Sequence, residues 1–243
     1  MVWGMVSLML FWNRDYALSF AEKLWAPALL WITGSPMEVT GQDNFDHTKP
    51  HIFIMNHQST LDIAVGFDAL RVPLRFLLKE ELRWAPFLGQ YTWAVGMIFV
   101  DRKNKERSRK SIQKAGETIR NGANIIAYPE GTRCQDGRIR QFKKGVFLAA
   151  LESGVPIVPL AVEGTRHVMP KNTFHLSNHP IKVAIGKPIP TEGLTYEDRD
   201  TLIEECRQQM IELHLSIGGV GAEENQPSAQ TENSLEQGNP QSA

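Results

Sequence analysis

A histidine and a carboxylate five positions apart, His57 and Asp62, stand in Asn56-His57-Gln58-Ser59-Thr60-Leu61-Asp62, directly after the apolar run Ile52–Met55. An imidazole held by a carboxylate is a general base with its tautomer set, able to take a proton from a hydroxyl. The spacing imposes a condition. Five residues of regular helix turn through about 500°, which would point the two side chains to different faces. They meet only if His57 precedes the helix. Ser59 is a good N-cap, and a helix beginning at Thr60 puts Asp62 at its third position, leaving His57 to fold back towards the carboxylate. Ser59-x-x-Asp62 is also a capping-box pattern that needs no catalysis, so the stretch by itself supports both a helix start and an active site.

Two further loops carry side chains suited to a phosphate. Tyr128-Pro129-Glu130-Gly131-Thr132-Arg133 follows Ile125-Ile126-Ala127, and ligands of open α/β sheets gather at such strand ends. Arg133 offers a planar fork of donors, and Gly131 lets a ligand approach the backbone. The alternative is a plain turn with an exposed arginine. Gly96 to Arg102 is another apolar run ending in a cation; Arg102 either binds an anion or starts the basic helix that follows. Lys79, after Leu74–Leu78, is open to the same two readings. Cys134 lies beside Arg133 with no histidine spaced to activate it and reads as a spectator thiol.

These loops need a frame to bring them together. From residue 51 short β-branched runs alternate with longer amphipathic ones, the pattern of an α/β fold with a mostly parallel sheet flanked by helices. Strands are expected at His51–Met55, Leu74–Leu78, Met97–Val100, Asn124–Tyr128, Ile157–Val162 and Ile181–Ile185. Helices are expected at Thr60–Leu70, Pro86–Val95, Lys105–Asn121, Lys143–Glu152 and Tyr196–Leu215. No internal repeat is expected. His167, His175 and His179 fall on expected loop or surface positions without an assigned role.

The 243 residues, 42% hydrophobic and 22% charged, suit one domain with a sizeable core. Cys134 and Cys206 have neither metal-ligand spacing nor a disulfide framework, which points to a reducing compartment. Residues 1–34 are set apart: Val2–Trp12 is almost wholly apolar, Asn13-Arg14-Asp15 interrupts it, and Tyr16–Ile32 resumes it. Neither piece is a clean spanning helix, and four tryptophans suit the headgroup level, so a helical hairpin dipping into one leaflet is expected. Two helices buried against a soluble domain are the alternative. Residues 35–217 form the expected catalytic domain, and 218–243 a disordered tail rich in Gly, Glu, Gln, Asn and Ser. The tail holds four glutamates without Lys or Arg; without them, 26 basic residues face 23 acidic ones. Residues 101–114 alone hold seven basic and two acidic side chains, which makes phosphate groups the natural partners.

Taken in order, NHQSTLD, GMIFVDR, YPEGTR and VPIVPLAV resemble the glycerolipid acyltransferase family, most closely the bacterial 1-acyl-sn-glycerol-3-phosphate acyltransferases. The likeness runs from about Pro50 to Gly164. It implies that His57 deprotonates the sn-2 hydroxyl of 1-acyl-sn-glycerol 3-phosphate, that Asp62 holds the imidazole, and that the hydroxyl attacks the acyl thioester directly to give phosphatidate. Arg102 and Arg133, with Lys79, would bind the acceptor phosphate, and Glu130 and Gly131 would shape the acceptor site. The implied partners are membrane lipids and an acyl-CoA or acyl-carrier-protein donor, with no cofactor, metal or nucleic acid. The implied location is the cytoplasmic face of a membrane, with monotopic attachment. Other acceptors, such as glycerol 3-phosphate, a lysophospholipid or a lyso-ornithine lipid, and a non-catalytic lipid-binding module remain alternatives. Tyr128 stands where phenylalanine is common in the family, and Cys134 where serine is.

Overall fold

A run that is apolar at every position needs cover on both faces, and Ile52-Phe53-Ile54-Met55 receives it. In the computed structural model, which describes residues 18–86, 88–100, 105–173 and 175–222, a π-helical turn Ala21–Trp25 leads into α1 (Ala26–Thr33). There follow β1 (Met37–Thr40), β2 (Ile52–Met55), α2 (Asp62–Leu70), β3 (Leu74–Lys79), α3 (Leu88–Ala94), β4 (Ile98–Val100), α4 (Lys105–Arg120) and β5 (Asn124–Ala127). The chain ends with α5 (Gly145–Ser153), β6 (Ile157–Glu163), the single turn α6 (Thr165–Val168), β7 (Ile181–Ile185) and α7 (Arg199–Ser216).

The seven strands form one sheet in the order β1-β7-β6-β2-β5-β3-β4. Only the β6–β7 pair is antiparallel. Alternate side chains of β2 enter different cores, as the two-residue period of a strand requires. Phe53 and Met55 pack with Ala26 and Leu30 of α1 and Val65 and Phe67 of α2. Ile52 and Ile54 pack with Ile112 and Ile119 of α4, Phe147 of α5 and Met210 of α7. The chain leaves β2 towards β3 and β4, returns to insert β5 beside β2, then passes to β6 on the other side. The loops leaving β2, β5 and β6 therefore meet at one end of the sheet, around the point where the strand order reverses.

The six expected strands are all present, each within a residue of its expected ends. β1 was not expected. It is a four-residue edge strand with Glu38 in it, and such short, charged edges carry little periodic signal. The expected helices are also present, with corrected ends. α2 starts at Asp62 rather than Thr60, because the first bonds of that turn, Asp62 N–H to Ser59 O at 3.3 Å and Ile63 N–H to Thr60 O at 3.3 Å, span three residues instead of four.

The expectation of disorder from residue 218 fails for its first five residues. The Ile139 N–H donates to Gly221 O at 2.8 Å, and Ala222 bridges Ile139, so Gly218–Ala222 folds back onto the domain. Glycines at 218 and 221, with φ of 88° and 77°, make that reversal possible. The remainder of the expected tail, residues 223–243, lies outside the described residues, as does the first arm of the expected hairpin, Val2–Trp12 with Asn13–Asp15. The second arm is helical from Leu18 to Thr33. It buries Leu18, Ala21, Ala26 and Leu30 and turns Leu24, Trp25, Trp31 and Ile32 outward, with Trp31 83% exposed. No described helix is long and apolar enough to cross a membrane.

Asn56 joins the frame to the loops. Its side-chain amide donates to Val162 O at 2.9 Å and accepts from Val162 N–H at 2.7 Å, continuing the β2–β6 ladder one step past β2. Asn56→Leu leaves both groups of Val162 buried and unpaired, and a loss of about 2–4 kcal/mol in unfolding free energy is expected from urea denaturation.

Candidate active site

His57 follows β2, and Asp62 opens α2. The ring's Nδ1 lies 2.8 Å from Asp62 Oδ2, so the helix does begin late enough for the two to meet. That same oxygen accepts the backbone N–H of Gln58 at 2.7 Å and of Ser59 at 2.9 Å. Asp62 Oδ1 accepts the hydroxyl of Thr165 at 2.5 Å. A fully buried carboxylate must be met by donors, and the fourth donor to Asp62 is the Nδ1–H of His57. The other nitrogen, Nε2, is left as the basic one. Ser59 does cap the turn, its Oγ accepting Leu61 N–H at 3.2 Å and donating to Met169 O at 2.7 Å. The capping and catalytic readings of this stretch are one structure.

The loop after β5 clamps the same histidine from the other side. His57 N–H donates to Glu130 Oε1 at 2.9 Å, His57 O accepts Cys134 N–H at 2.7 Å, and the imidazole stacks on Tyr128 with centroids 3.9 Å apart. Gly131 makes the turn at φ 72°. Glu130 is 3% exposed, and its Oε2 accepts Arg140 N–H at 3.1 Å. Burial pushes its carboxyl up to about 7, against the pull of those two backbone donors. The Tyr128 phenol is pushed well above its ordinary value by burial and by the Asp62 charge, so it remains neutral. Burial pushes the Cys134 thiol upward; it donates to Asp136 Oδ1 at 2.7 Å and accepts Arg140 Nε–H at 3.0 Å.

Against this clamp lies a cleft of about 380 Å³ lined by His57, Tyr128, Gly131 and Thr132, by Leu77, Leu78 and Leu82, and by two cations, Arg133 and Lys171. Arg133 Nη1 also donates to Thr60 Oγ at 2.8 Å, tying it to the turn below. Of the site residues expected from sequence, His57, Asp62, Glu130, Gly131 and Arg133 thus come together. Glu130 does so as a buried brace for the His57 backbone, and it does not line the cleft. Lys79 is the last residue of β3, the strand whose Leu77 and Leu78 line the cleft. Arg102 lies outside the described residues. Among the described residues, no group of His, Cys, Asp and Glu could hold a metal ion.

Sequence reading missed Lys171 and a second supporting loop. Glu130-Gly131-Thr132-Arg133 recurs as Glu163-Gly164-Thr165-Arg166, at the ends of β5 and β6, the two strands that flank β2. Both glycines have positive φ, 72° and 100°. The recurrence of these four residues in the sequence was the available signal. The second copy is turned inward: Thr165 donates to Asp62, while Glu163 accepts Gln58 Nε2 at 2.9 Å and His214 Nε2 at 2.9 Å and pairs with Arg166 at 2.7 Å. Burial alone would raise Glu163, but donors from His214, Gln58 and Arg166 hold it at about 2. His214, absent from the sequence reading, is fully buried on α7 and accepts Gly221 N–H at Nδ1. Of the unassigned histidines, His167 and His179 face each other with centroids 4.7 Å apart, away from the cleft lining.

A family model described as Acyltransferase matches residues 36–163, more than half of the chain. The chain belongs to the acyltransferase family. Among its relatives, the 1-acyl-sn-glycerol-3-phosphate acyltransferase alpha of Homo sapiens is 30% identical over 192 residues, covering 79% of this chain and 68% of that protein. The 1-acyl-sn-glycerol-3-phosphate acyltransferase of Limnanthes douglasii is 34% identical over 178 residues, covering 72% of this chain and 62% of that protein. The crystal structure of the 1-acyl-sn-glycerophosphate acyltransferase PlsC from Thermotoga maritima superposes with a TM-score of 0.72 at 27% identity, covering 88% of each chain. The enzyme thus shares its α/β frame with that structure. Thr165 falls just beyond the matched segment.

Two outcomes follow from this geometry. Thr165→Val removes one charge-assisted hydrogen bond from Asp62 and should lower kcat about tenfold or more with little change in KM; Thr165→Ser, which restores the hydroxyl, should recover it. For Glu130, the folded carboxyl at about 7 holds its proton more tightly than an ordinary unfolded one at 4.5. Its contribution is therefore fully present below about 4.5 and lost as pH rises through 7, a decline of at most about 3 kcal/mol. Urea midpoints of the wild type should fall between about pH 5 and about pH 8 more steeply than those of Glu130→Gln.

Proposed function

We propose that this acyltransferase moves an acyl group from an acyl thioester to the sn-2 hydroxyl of 1-acyl-sn-glycerol 3-phosphate, forming phosphatidate. The observation that carries the reading is the His57–Asp62 pair, at 2.8 Å, on a cleft that also holds Arg133 and Lys171. His57 Nε2 takes the hydroxyl proton as the oxygen attacks the thioester carbonyl carbon. The carbon–sulfur bond breaks, and the departing thiolate recovers the proton from the imidazolium. Asp62 orients the ring and stabilises its cation. Direct transfer is supported by the setting of the one cysteine near the site: Cys134 is buried and hydrogen-bonded away from the role of acyl carrier.

Arg133 and Lys171 would hold the acceptor phosphate, with Lys79 and Arg102 as further candidates from their strand-end positions in the sequence. A dianionic acceptor against two or more cations fixes the hydroxyl near the base, which converts a bimolecular attack into a positioned one. Leu77, Leu78 and Leu82 give the cleft an apolar side suited to acyl chains. The names of the relatives, each a 1-acyl-sn-glycerol-3-phosphate acyltransferase, support this acceptor. Membrane attachment belongs to the same reading. Leu24, Trp25, Trp31 and Ile32 form an outward apolar face beside the domain, and an acceptor and product that partition into bilayers are best met there.

The deciding assay combines purified protein, lysophosphatidate and a panel of acyl donors, with phosphatidate identified by mass. His57→Ala should lower turnover by about 10²–10⁴ without loss of folded protein. Arg133→Ala should raise the acceptor KM about tenfold or more. Robust turnover by the histidine variant would remove His57 as the base, and an unchanged acceptor KM would remove Arg133 from the phosphate site.

A further inference from the structure

Gly221 fastens two side chains that lead to His57 by separate routes. Its N–H donates to His214 Nδ1 at 3.3 Å, and its carbonyl accepts the N–H of Ile139 at 2.8 Å. On the first route, a ring that accepts at Nδ1 carries its proton on Nε2, and that N–H donates to Glu163 Oε2 at 2.9 Å. The same oxygen accepts Gln58 Nε2 at 2.9 Å, and the Gln58 backbone N–H donates to Asp62 Oδ2 at 2.7 Å. On the second, Arg140 follows Ile139 and donates its N–H to Glu130 Oε2 at 3.1 Å, while Glu130 Oε1 accepts the His57 N–H at 2.9 Å. The two routes thus end on adjacent backbone N–H groups, those of His57 and Gln58. Arg207, on α7 and 7% exposed, holds the same segment by donating to Ile139 O at 3.4 Å and Arg140 O at 3.3 Å. Gly219 closes over the other end of α7. Its N–H donates to His214 O at 2.8 Å, and a Cβ on it would overlap the His214 ring at the Nε2 edge.

We infer that His214, locked by the strap Gly218–Ala222, is a positioning residue for the His57–Asp62 pair. The inference rests on the acyl-transfer reading above, in which that pair does the chemistry, and it gives a part in it to residues beyond the matched segment 36–163. Glu163 stands between two of the four donors to Asp62: it holds the side chain of Gln58, whose N–H reaches Oδ2, and it lies two residues before Thr165, whose hydroxyl reaches Oδ1. A buried carboxylate that loses the His214 donor must recruit another, and any shift of Glu163 moves both of those groups. Asp62 then turns with them, and so does the imidazole hydrogen-bonded to it at Nδ1. Proton transfer from the acceptor hydroxyl depends on where Nε2 points, whereas the cations proposed to hold the acceptor phosphate, Arg133 and Lys171, make no contact with Glu163 or His214. Loss of the lock therefore acts on turnover and leaves acceptor binding alone.

The test uses His214→Ala, His214→Gln and Gly219→Ala, each in the full chain. Gly219→Ala presses on the ring from the strap and leaves α7 unaltered, so it serves where His214→Ala does not fold. Phosphatidate formation gives kcat and the acceptor KM, and the downfield proton resonance of His57 Nδ1–H reports its bond to Asp62 directly. In His214→Ala and Gly219→Ala, kcat is expected to fall about tenfold with acceptor KM changed by less than about twofold, and the Nδ1–H resonance to move upfield or broaden. His214→Gln, whose side-chain N–H can still donate to Glu163, is expected to recover kcat to within about threefold of the wild type. Wild-type kcat in a folded Gly219→Ala variant overturns the assignment, as does a rise in KM at constant kcat, or a loss in His214→Gln equal to that in His214→Ala. The two readings fail separately. Wild-type protein that forms no phosphatidate removes the acceptor chemistry, and the Nδ1–H resonance then decides by itself: an unchanged signal in Gly219→Ala removes His214 from the positioning of the pair, and a shifted one retains it.

Discussion

A fully buried carboxylate is tolerable only where donors surround it, and Asp62 meets that constraint with four. Much of the site geometry answers to this requirement. The two backbone donors, Gln58 and Ser59, exist because α2 begins at Asp62 and leaves the preceding N–H groups free to point back at it. The third donor is the His57 ring, and the fourth, Thr165, comes from the end of β6. Helix start, imidazole orientation and the end of β6 beside β2 thus converge on one side chain. The cap and the His57–Asp62 pair cannot be separated.

The two Glu-Gly-Thr-Arg loops flanking β2 show how environment assigns roles to identical residues. In the first, Glu130 is spent on two backbone N–H groups, so Arg133 reaches the cleft lining and Thr60 instead of pairing with its own loop's carboxylate. In the second, Arg166 pairs with Glu163, and it is the threonine that faces the centre. One carboxyl is accordingly raised to about 7 and the other held at about 2, a difference made by the number and charge of their donors. Glu163 also links Gln58, in the loop after β2, to His214 on α7, which brings that helix into the support of the candidate site.

Placement of cations follows the same economy of positions. The cleft pairs an imidazole with Arg133 and Lys171 and with three leucines. On the other side of β3 and its following turn, α4 lines a second cavity with cations and leaves Trp93 and Phe99 at its walls. Separate cation-lined surfaces thus lie either side of one strand.

Much of this was legible in the one-dimensional pattern. The strand runs, the loops at their ends and the order of NHQSTLD, GMIFVDR, YPEGTR and VPIVPLAV sufficed for an α/β sheet, the family and the His57–Asp62 pair, because apolar periodicity and strand-end chemistry are local properties. Edge strand β1 escaped for want of such a pattern, and Gly218–Ala222 because low hydrophobicity says nothing of a hydrogen bond to Ile139. The neighbours of β2 are not local. That β5 and β6 flank it, although they lie some seventy and a hundred residues further along, depends on the route of the chain through the sheet, and only that route brings Thr165, Glu163 and His214 behind the catalytic loop. The sequence alone offered His57, Asp62 and Arg133 as candidates for base, orienter and phosphate ligand, but not Lys171. Tertiary structure decided which of them support rather than touch a substrate, because the burial of Glu130 and the four donors of Asp62 are set by packing across the sheet.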